Sequence, residues 1–214
     1  MLNIKTFVCN PFQENTYVVS DETNEAIIID CGILFTNEHS ELISYITENK
    51  LKPILLLSTH GHIDHNFGID MIAEKYKIRP MVHHGDSFLM SRLHEQALAF
   101  CNYRLTNEMP SVSKYLNDSD ILHFGSHEIK VIHTPGHSPG SVIFYIESEQ
   151  TAFTGDTIFK MSIGRTDLEG GSYNDIVNSL RKIITELQDT TVLLPGHGPQ
   201  TTIVKEKMYN PYIR

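Results

Sequence analysis

The chain has 214 residues, of which 40% are hydrophobic and 20% charged, and its formal net charge at pH 7 is −9. We treat residues 1–214 as a single domain, because this length is typical of one domain with a buried core. The acidic balance and the lack of a long apolar run argue against nucleic acid and membrane as partners. The first ten residues lack the features of a secretory signal, so we expect a cytoplasmic location. Twelve histidines are the unusual feature.

The first half of the chain predicts strands that open the fold, followed by helices that alternate with strands. The opening strands are predicted at 4–9, 16–20 and 26–30. Leu42, Ile43 and Ile46 recur at helical spacing, which predicts a helix over 37–50 that ends before Pro53. Further elements are predicted as a strand at 54–57, a helix at 66–77, a short strand at 80–84 and a helix at 86–101.

The second half of the chain predicts another set of strands and one long helix. The strands are expected at 121–124, 129–134, 141–147, 151–154 and 191–194. Ser172 and Asp175 form a capping box, and the apolar residues that follow as far as Leu187 recur at helical spacing. Two groups of strands, each carrying helices, predict an α+β fold in which two sheets pack face to face with helices outside.

Four potential metal ligands lie within six residues, directly after the apolar strand 54–57. They are His60, His62, Asp64 and His65. Alternate side chains of an extended segment point the same way, so His60 and His62 are expected to share one position. Asp64 and His65 follow the bend and are expected to serve a neighbouring position. This spacing fits two adjacent metal sites.

Three further groups repeat one arrangement, in which an apolar strand leads into a glycine-containing loop with a single potential ligand. These ligands are His137, Asp156 and His197. A sheet holds the ends of its strands with small positional error, which suits the construction of a metal site. The sequence therefore predicts seven candidate ligands that strand ends position.

The H-x-H-x-D-H run at 60–65 and the three single ligands closely resemble the motif set of the metallo-β-lactamase superfamily. Within it, the chain resembles the short branch of glyoxalase II-like (hydroxyacylglutathione hydrolase-like) proteins. The resemblance covers nearly the whole chain, from the opening strands through Asn210-Pro211-Tyr212-Ile213. It implies a four-layer αββα sandwich with a two-metal centre at one edge. No ligand position holds cysteine, which argues against the lactamase subclasses that use one.

The resemblance also implies which side chains hold each metal ion. It gives two trios and one bridging residue: His60, His62 and His137 for the first ion, Asp64, His65 and His197 for the second, and Asp156 between them. Imidazole and carboxylate suit two divalent ions, zinc first, with iron or manganese as alternatives. A metal-bridging hydroxide would attack a carbonyl, with Asp64 and Asp156 as the catalytic carboxylates.

The reaction that the resemblance implies is hydrolysis of a small anionic thioester, in which a hydroxyacyl-glutathione gives a hydroxyacid and a thiol. Longer glyoxalase II enzymes add a carboxy-terminal helical substrate domain, which is not expected here because only residues 198–214 follow the last ligand. Arg165 is a candidate for binding a substrate carboxylate, since a guanidinium can do so through two hydrogen bonds. The alternative for Arg165 is an ion pair with Asp167 or another acid. Lys160 is a second candidate for substrate binding.

Other activities of the superfamily are alternatives. Persulfide dioxygenation uses one iron ion held by fewer ligands, whereas the intact Pro-Gly-His-Gly motif around His197 favours a complete second site and hydrolysis. A lactonase of the same fold is a further alternative. A non-catalytic metal-binding protein is disfavoured, because such a protein is expected to have lost ligands and all seven positions are filled.

Residues outside the ligand set carry less specific expectations. His123 and His127 flank a turn and are expected to face water. His133 is expected either to hydrogen-bond a ligand or carboxylate or to be a satisfied core imidazole. Asp30, which closes the strand at 26–30, is expected to be a structural or hydrogen-bonding partner of the site and not a ligand.

Overall fold

The computed structural model describes residues 2–213, which form two six-stranded sheets, a two-stranded hairpin and six α-helices. The first sheet contains, in spatial order, β1 (Asn3–Cys9), β2 (Glu14–Ser20), β3 (Glu25–Ile29), β4 (Lys52–Leu57), β5 (Pro80–His83) and β6 (Lys114–Leu116). Strands β1 to β3 pair antiparallel, and β3 to β6 pair parallel. This sheet is therefore mixed.

The remaining strands are β7 (Ile121–Phe124), β8 (His127–His133), β9 (Val142–Ile146), β10 (Thr151–Gly155), β11 (Ile158–Phe159), β12 (Ser162–Ile163), β13 (Val192–Pro195) and β14 (Thr201–Thr202). β11 and β12 pair with each other in a hairpin. The others form the second sheet in the order β14-β13-β10-β9-β8-β7. Neighbours in this sheet are antiparallel except β10 and β13, which run parallel.

Helices cover the outer face of each sheet. They are α1 (Thr36–Glu48), α2 (Ile69–Tyr76), α3 (Ser87–Met90), α4 (Leu93–Cys101), α5 (Tyr173–Glu186) and α6 (Ile203–Tyr209). The first four contribute to the apolar cluster on the first sheet, and α5 and α6 to the cluster on the second. The layers follow the predicted αββα order. Within residues 2–213, no helix is long and apolar enough to cross a membrane.

Strand β3 shows how the layers are held together. Ile27 and Ile29 belong to the apolar cluster between the sheets, whereas Ala26 and Ile28 belong to the cluster under the helices. Side chains alternate along a strand, so a strand that is apolar at every position is buried on both faces. All four residues are fully buried. The same run of sequence therefore joins two of the three apolar clusters.

Among the predicted elements whose bounds differ from the structure, two have a clear local reason. The strand predicted at 54–57 begins at Lys52 and includes Pro53, which lies where the pairing of β3 with β4 shifts register. A proline lacks the N–H of a regular ladder and is tolerated at such an irregularity. The helix predicted at 86–101 is two helices, because Arg92 has φ −119° and its N–H bonds the carbonyl of Leu89, three residues back.

Several short elements were not predicted, namely β6, β11, β12, β14 and α6. Each strand among them has two or three residues, which is too short for periodicity to be read. Helix α6 has seven residues, too few for helical spacing to be recognised, and its buried residues are Ile203 and Glu206. Its amino terminus is capped by Thr202, whose side chain accepts a hydrogen bond from Lys205 N.

Candidate metal centre

All seven predicted ligands lie in loops that follow strands at one edge of the sandwich. Strands β8 and β10 are both antiparallel to β9, and β13 is parallel to β10, so these three strands end at the same edge of the second sheet. The loop after β4 of the first sheet meets that edge, where Val142 N donates to Thr59 O. Two sheets thus converge on one site.

His60, His62 and His137 form the first trio. One ring nitrogen from each lies within 4.8 Å of the others. His62 Nδ1 and His137 Nε2 are 2.8 Å apart, and all three side chains are buried. The structure therefore brings three imidazole nitrogens to one point, as predicted for the first metal position.

Asp64, His65 and His197 form the second trio. His65 Nε2 lies 3.2 Å from His197 Nε2, and Asp64 Oδ2 lies 3.3 Å from His197 Nε2 and 3.7 Å from His65 Nε2. Asp64 and His65 come from the short 3₁₀ turn Ile63–His65, so the bend predicted after His62 separates them from the first trio. The two trios are distinct and adjacent.

Asp156 lies between the trios. Its Oδ1 is 3.4 Å from His65 Nε2, and its Oδ2 is 3.6 Å from His137 Nε2 and 3.6 Å from His197 Nε2. Burial alone would raise the pKa of Asp156, but the neighbouring histidines, His65 above all, hold it below its ordinary value. The carboxylate is ionised at neutral pH and contacts both trios, as a bridging ligand would.

The outer nitrogens of two histidines donate to backbone carbonyls, which sets their tautomers. His137 Nδ1 is 2.8 Å from Arg165 O, and His197 Nδ1 is 2.9 Å from Phe12 O. A carbonyl oxygen can only accept, so each Nδ1 carries a proton and each Nε2 is left to present a lone pair to the cluster. A metal-binding histidine needs this arrangement.

Asp30 sets the tautomers of two further histidines, His65 and His60. Its Oδ2 is 2.9 Å from His65 Nδ1 and accepts a hydrogen bond from Thr59 Oγ1 at 2.8 Å. The single hydroxyl hydrogen of Thr59 goes to Asp30, so its oxygen accepts from His60 Nδ1, 3.1 Å away. The expectation that Asp30 supports the site through hydrogen bonds is confirmed.

Two inner atoms of the cluster fit a positively charged ligand. His60 Nε2 and Asp156 Oδ1 are buried and have no hydrogen-bond partner among residues 2–213. Such an atom costs about 1–3 kcal/mol when it is left unsatisfied, and a cation would satisfy both. Burial and the neighbouring His137 lower the pKa of His62 to about 4, so its imidazole is neutral at pH 7. These residues fit divalent ions that accept nitrogen and oxygen ligands.

The second trio has a different electrostatic setting. Burial would lower the pKa of His65, but the carboxylates of Asp64 and Asp156 raise it above its ordinary value. The pKa of His197 is raised in the same way, against its burial, by its hydrogen bond with Asp64 and by the charge of Asp156. A cation at this position competes with a proton, because a metal ligand must be deprotonated.

Asp86 is a positioning residue that the sequence analysis missed. Its carboxylate accepts hydrogen bonds from Gly61 N at 2.8 Å, Ser138 Oγ at 2.7 Å and Gly140 N at 2.6 Å. It therefore ties the loop that carries His60 and His62 to the loop that carries His137. Its signal in the sequence was weak but real, since it follows strand β5 after a glycine, as Asp156 follows Gly155.

Asn66, which directly follows the motif at 60–65, is a second missed positioning residue. Its Nδ2 donates to the carbonyls of His60 at 3.0 Å and His62 at 2.7 Å, and its Oδ1 accepts from Ser58 Oγ. The side chain closes the loop on itself and fixes the direction of both imidazoles. Asparagine suits this position because one amide supplies both donors and an acceptor.

A cavity of about 430 Å³ opens onto the cluster. Besides ligands of both trios, its lining includes Phe12, Phe100, Leu168 and Arg165. This volume suits a small molecule, and a mainly apolar wall with a few polar groups is usual for such sites. The cluster is thus accessible to a substrate from one side.

The two candidate substrate-binding residues differ in position. Arg165 lines the cavity, but its guanidinium makes two hydrogen bonds of 2.7 Å to the carboxylate of Asp167. The ion pair that was its alternative reading is therefore present. Lys160 is exposed and does not line the cavity. Its candidacy gains no support from the structure.

Two expectations about other histidines are resolved. The prediction that His127 faces water is wrong: the side chain is buried, with Nδ1 3.2 Å from Asp21 Oδ2 and Nε2 3.0 Å from Glu149 Oε1. His133 stacks on His83 at 4.0 Å, and its Nε2 is 2.9 Å from Pro139 O. His133 is thus a satisfied imidazole beside the loop of a ligand.

Known proteins are similar to this chain in sequence and in fold. The model of the metallo-β-lactamase superfamily matches residues 9–197. Hydroxyacylglutathione hydrolase GloC of Haemophilus influenzae is 33% identical, over 99% of this chain and 98% of that protein. The crystal structure of BLEG-1 B3 metallo-β-lactamase has a TM-score of 0.89 at 33% identity, over 100% of this chain and 99% of that one. TTHA1623 in a di-iron-bound form has a TM-score of 0.86 at 30% identity, over 97% and 99%. The αββα sandwich is thereby confirmed.

Proposed function

The chain belongs to the metallo-β-lactamase superfamily, and from this premise we propose that it is a thioester hydrolase of the hydroxyacylglutathione type. In this reaction the bond between the carbonyl carbon and sulfur breaks, and the oxygen of water bonds to the carbonyl carbon. The products are a hydroxyacid and a free thiol, which takes up a proton.

The observation that carries the proposal is the complete pair of trios with Asp156 between them. Two divalent ions, for which we propose zinc with iron or manganese as alternatives, would supply a nucleophile at neutral pH and a charge that polarises the carbonyl. The similarity to GloC, a hydroxyacylglutathione hydrolase that is 33% identical over nearly the whole of both chains, supports the thioester as substrate.

The residues of the chain would position the substrate and the attacking water and would take part in proton transfer. Asp156 keeps the two trios at a fixed separation. Asp64 lines the cavity, with Oδ2 3.3 Å from His197 Nε2, and offers an acceptor oxygen that can orient the attacking water. Phe12, Phe100 and Leu168 form an apolar wall that limits bulk water around the substrate.

The second trio favours hydrolysis over persulfide dioxygenation as the activity of this chain. A single-iron site needs fewer ligands than the seven that converge here, and His197 together with Asp64 would have no metal to bind. Their contact at 3.3 Å and the burial of His65 favour two ions and hydrolysis.

The experiment is a thiol-release assay under anaerobic conditions with protein loaded with zinc, iron or manganese. We expect S-lactoylglutathione to be cleaved to glutathione without oxygen. Catalysis without oxygen would exclude the dioxygenase reaction. No thiol release with any of the three metals, together with oxygen uptake on glutathione persulfide, would reverse the assignment. A variant at the exposed Asp189, Asp189→Asn, is the matched control for mutagenesis because it lies at the opposite end of β13 from His197.

A further inference from the structure

The substrate cavity and a smaller cavity beside it each have one arginine in their walls, and both arginines are already paired with acids. Arg165 bonds Asp167 through Nε and Nη2, at 2.7 Å each. A smaller cavity of about 190 Å³ adjoins the first and shares Phe100 and Leu168 with it. Its arginine, Arg92, pairs with Glu169 at 2.8 Å.

The remaining lining of the two cavities, outside the metal cluster, offers no other cation among residues 2–213. The wall is apolar at Phe12, Ile63, Leu89, Ala99, Phe100 and Leu168. Glu95 adds a further negative charge to the smaller cavity. A carboxylate carried on a substrate therefore meets paired arginines, an apolar surface and an acid.

Arg165 is held in place by its backbone. Its carbonyl oxygen accepts the hydrogen bond from His137 Nδ1, so the residue is anchored to the first trio while its side chain reaches the cavity wall. Arg165 therefore lines the same cavity as ligands of both trios. The two N–H groups of Arg165 that would bind a carboxylate of the substrate are already hydrogen-bonded to Asp167.

We propose that Asp167 is a specificity-determining residue, which occupies the guanidinium of Arg165 and makes the site indifferent to carboxylates on the thiol half of its substrate. This inference rests on the proposed thioester hydrolysis. The substrate class is then a thioester recognised by its acyl group and by the metal centre, with glutathione accepted but not selected over a smaller uncharged thiol.

In this ion pair, Asp167 competes with a substrate carboxylate for the guanidinium of Arg165, and one substitution can change the outcome of that competition. Arg165 and Asp167 have 62% and 67% of their side chains exposed, and exposed pairs are individually weak. The hydrogen bonds from Arg165 lower the pKa of Asp167 to about 2, so the pair is fully charged at neutral pH. Removing the charge of Asp167 leaves the arginine free for an anionic substrate.

The test compares two thioesters with one acyl group, S-lactoylglutathione and the S-lactoyl thioester of N-acetylcysteamine, which lacks carboxylates. The readout is the ratio of their kcat/KM values, which cancels any general effect of a substitution. We expect the unaltered protein to give a ratio within about threefold of one, and Asp167→Asn to raise it about fivefold through the KM for the glutathione thioester. The double variant Arg165→Met with Asp167→Asn should return the ratio to its starting value, and Asp189→Asn should not move it.

Dissociation constants measured without turnover keep the inference separate from the proposed function. The ligands are the thioethers S-methylglutathione and S-methyl-N-acetylcysteamine, titrated by calorimetry into the metal-loaded protein. If neither thioester is cleaved but Asp167→Asn tightens only the glutathione ligand, the proposed function fails and the role of Asp167 stands. The inference is overturned if the unaltered protein prefers glutathione more than about tenfold and loses this in Arg165→Met, or if Asp167→Asn leaves both the kinetic and the binding ratios unchanged.

Discussion

Two groups of histidine and carboxylate side chains lie at opposite ends of the sandwich. At the far end, both ring nitrogens of His127 face carboxylate oxygens, those of Asp21 at 3.2 Å and Glu149 at 3.0 Å. At the candidate metal centre, ring nitrogens also face each other, at 2.8 Å between His62 and His137. Each ring nitrogen of His127 has a carboxylate partner in the chain. Facing imidazole nitrogens at the candidate metal centre instead fit a cation from outside the chain.

The surroundings of the carboxylates show the same contrast. Asp21 accepts hydrogen bonds from the backbone N–H and hydroxyl groups of Thr23 and Ser126, so its oxygens are satisfied. Asp156 Oδ1 is buried and has no hydrogen-bond partner within residues 2–213. A satisfied cluster contributes to stability, whereas an unsatisfied one costs stability and indicates function. The comparison therefore predicts opposite consequences for the same substitution at the two ends.

The largest expected effect is on activity, at the metal end. Asp156→Asn keeps the shape of the side chain but removes the charge that lies between the trios, so we expect thioester hydrolysis to fall at least about 100-fold. Circular dichroism and thermal unfolding should show that the fold is retained. Activity within tenfold of the unaltered protein would mean that Asp156 does not hold metal.

The matched substitution at the far end is Asp21→Asn. An amide places an NH₂ group against donors of Thr23 or Ser126, and the free energy of unfolding should fall by about 2 kcal/mol. Urea denaturation measures this loss, while kcat/KM and metal content should stay at their original values. If Asp21→Asn removed bound metal and left stability unchanged, the contrast between the two ends would be broken.

A third group of histidines makes the stability of the fold depend on pH. Burial and the neighbouring His133 and His84 lower the pKa of His83 to about 4, whereas the pKa of a histidine in an unfolded chain is about 6.5. The unfolded state binds the extra proton, so this residue makes the free energy of unfolding fall as pH drops from about 6.5 to about 4. Urea denaturation at several pH values should show a shallower fall in His83→Gln. Identical pH slopes for both proteins would refute the assignment.

The acid Asp21 titrates in a different window. Its hydrogen bonds with Thr23 and Ser126 outweigh the burial that opposes them and hold its pKa below the ordinary value. Its contribution to stability is present above about pH 4, the value for an unfolded aspartate, and is lost only as pH falls below that. The contributions of His83 and Asp21 can therefore be separated on one curve of the free energy of unfolding against pH.

The smallest effect is expected at an exposed ion pair on the protein surface, at the end of β13 opposite His197. Asp189 contacts Lys207 Nζ, with 62% of the aspartate side chain exposed. Solvent screens such pairs, so Asp189→Asn should change the free energy of unfolding by less than about 1 kcal/mol and leave activity as it was. A larger loss would show that surface charge, and not only buried clusters, stabilises this fold.

The sequence predicted the metal end well because its signals are local. His60, His62, Asp64 and His65 lie within six residues, and each of the single ligands follows an apolar strand into a glycine loop. A strand end fixes a position, so the convergence of these seven side chains could be predicted before the sheets were known. Asp30 was assigned correctly for the same reason, as it directly follows β3.

The far end could not be predicted, because its contacts are distant in the chain. His127 stands beside a turn, which favours exposure, yet its partners Asp21 and Glu149 lie 106 and 22 residues away. Asp86 likewise joins loops that are 25 and 54 residues distant. No periodicity reports on such pairs. The contact between Arg165 and Asp167 could be predicted from the sequence, because the two residues are only two positions apart.

We expect the two trios and Asp156 to hold two metal ions. Metal content is measured by elemental analysis of protein that has been saturated with zinc, iron or manganese and then desalted, with Asp21→Asn and His197→Ala measured alongside. The expected content is two ions per chain in the unaltered protein and in Asp21→Asn, and one in His197→Ala, where the second trio is incomplete. A content of one ion or none in the unaltered protein, under all three metals, would contradict it.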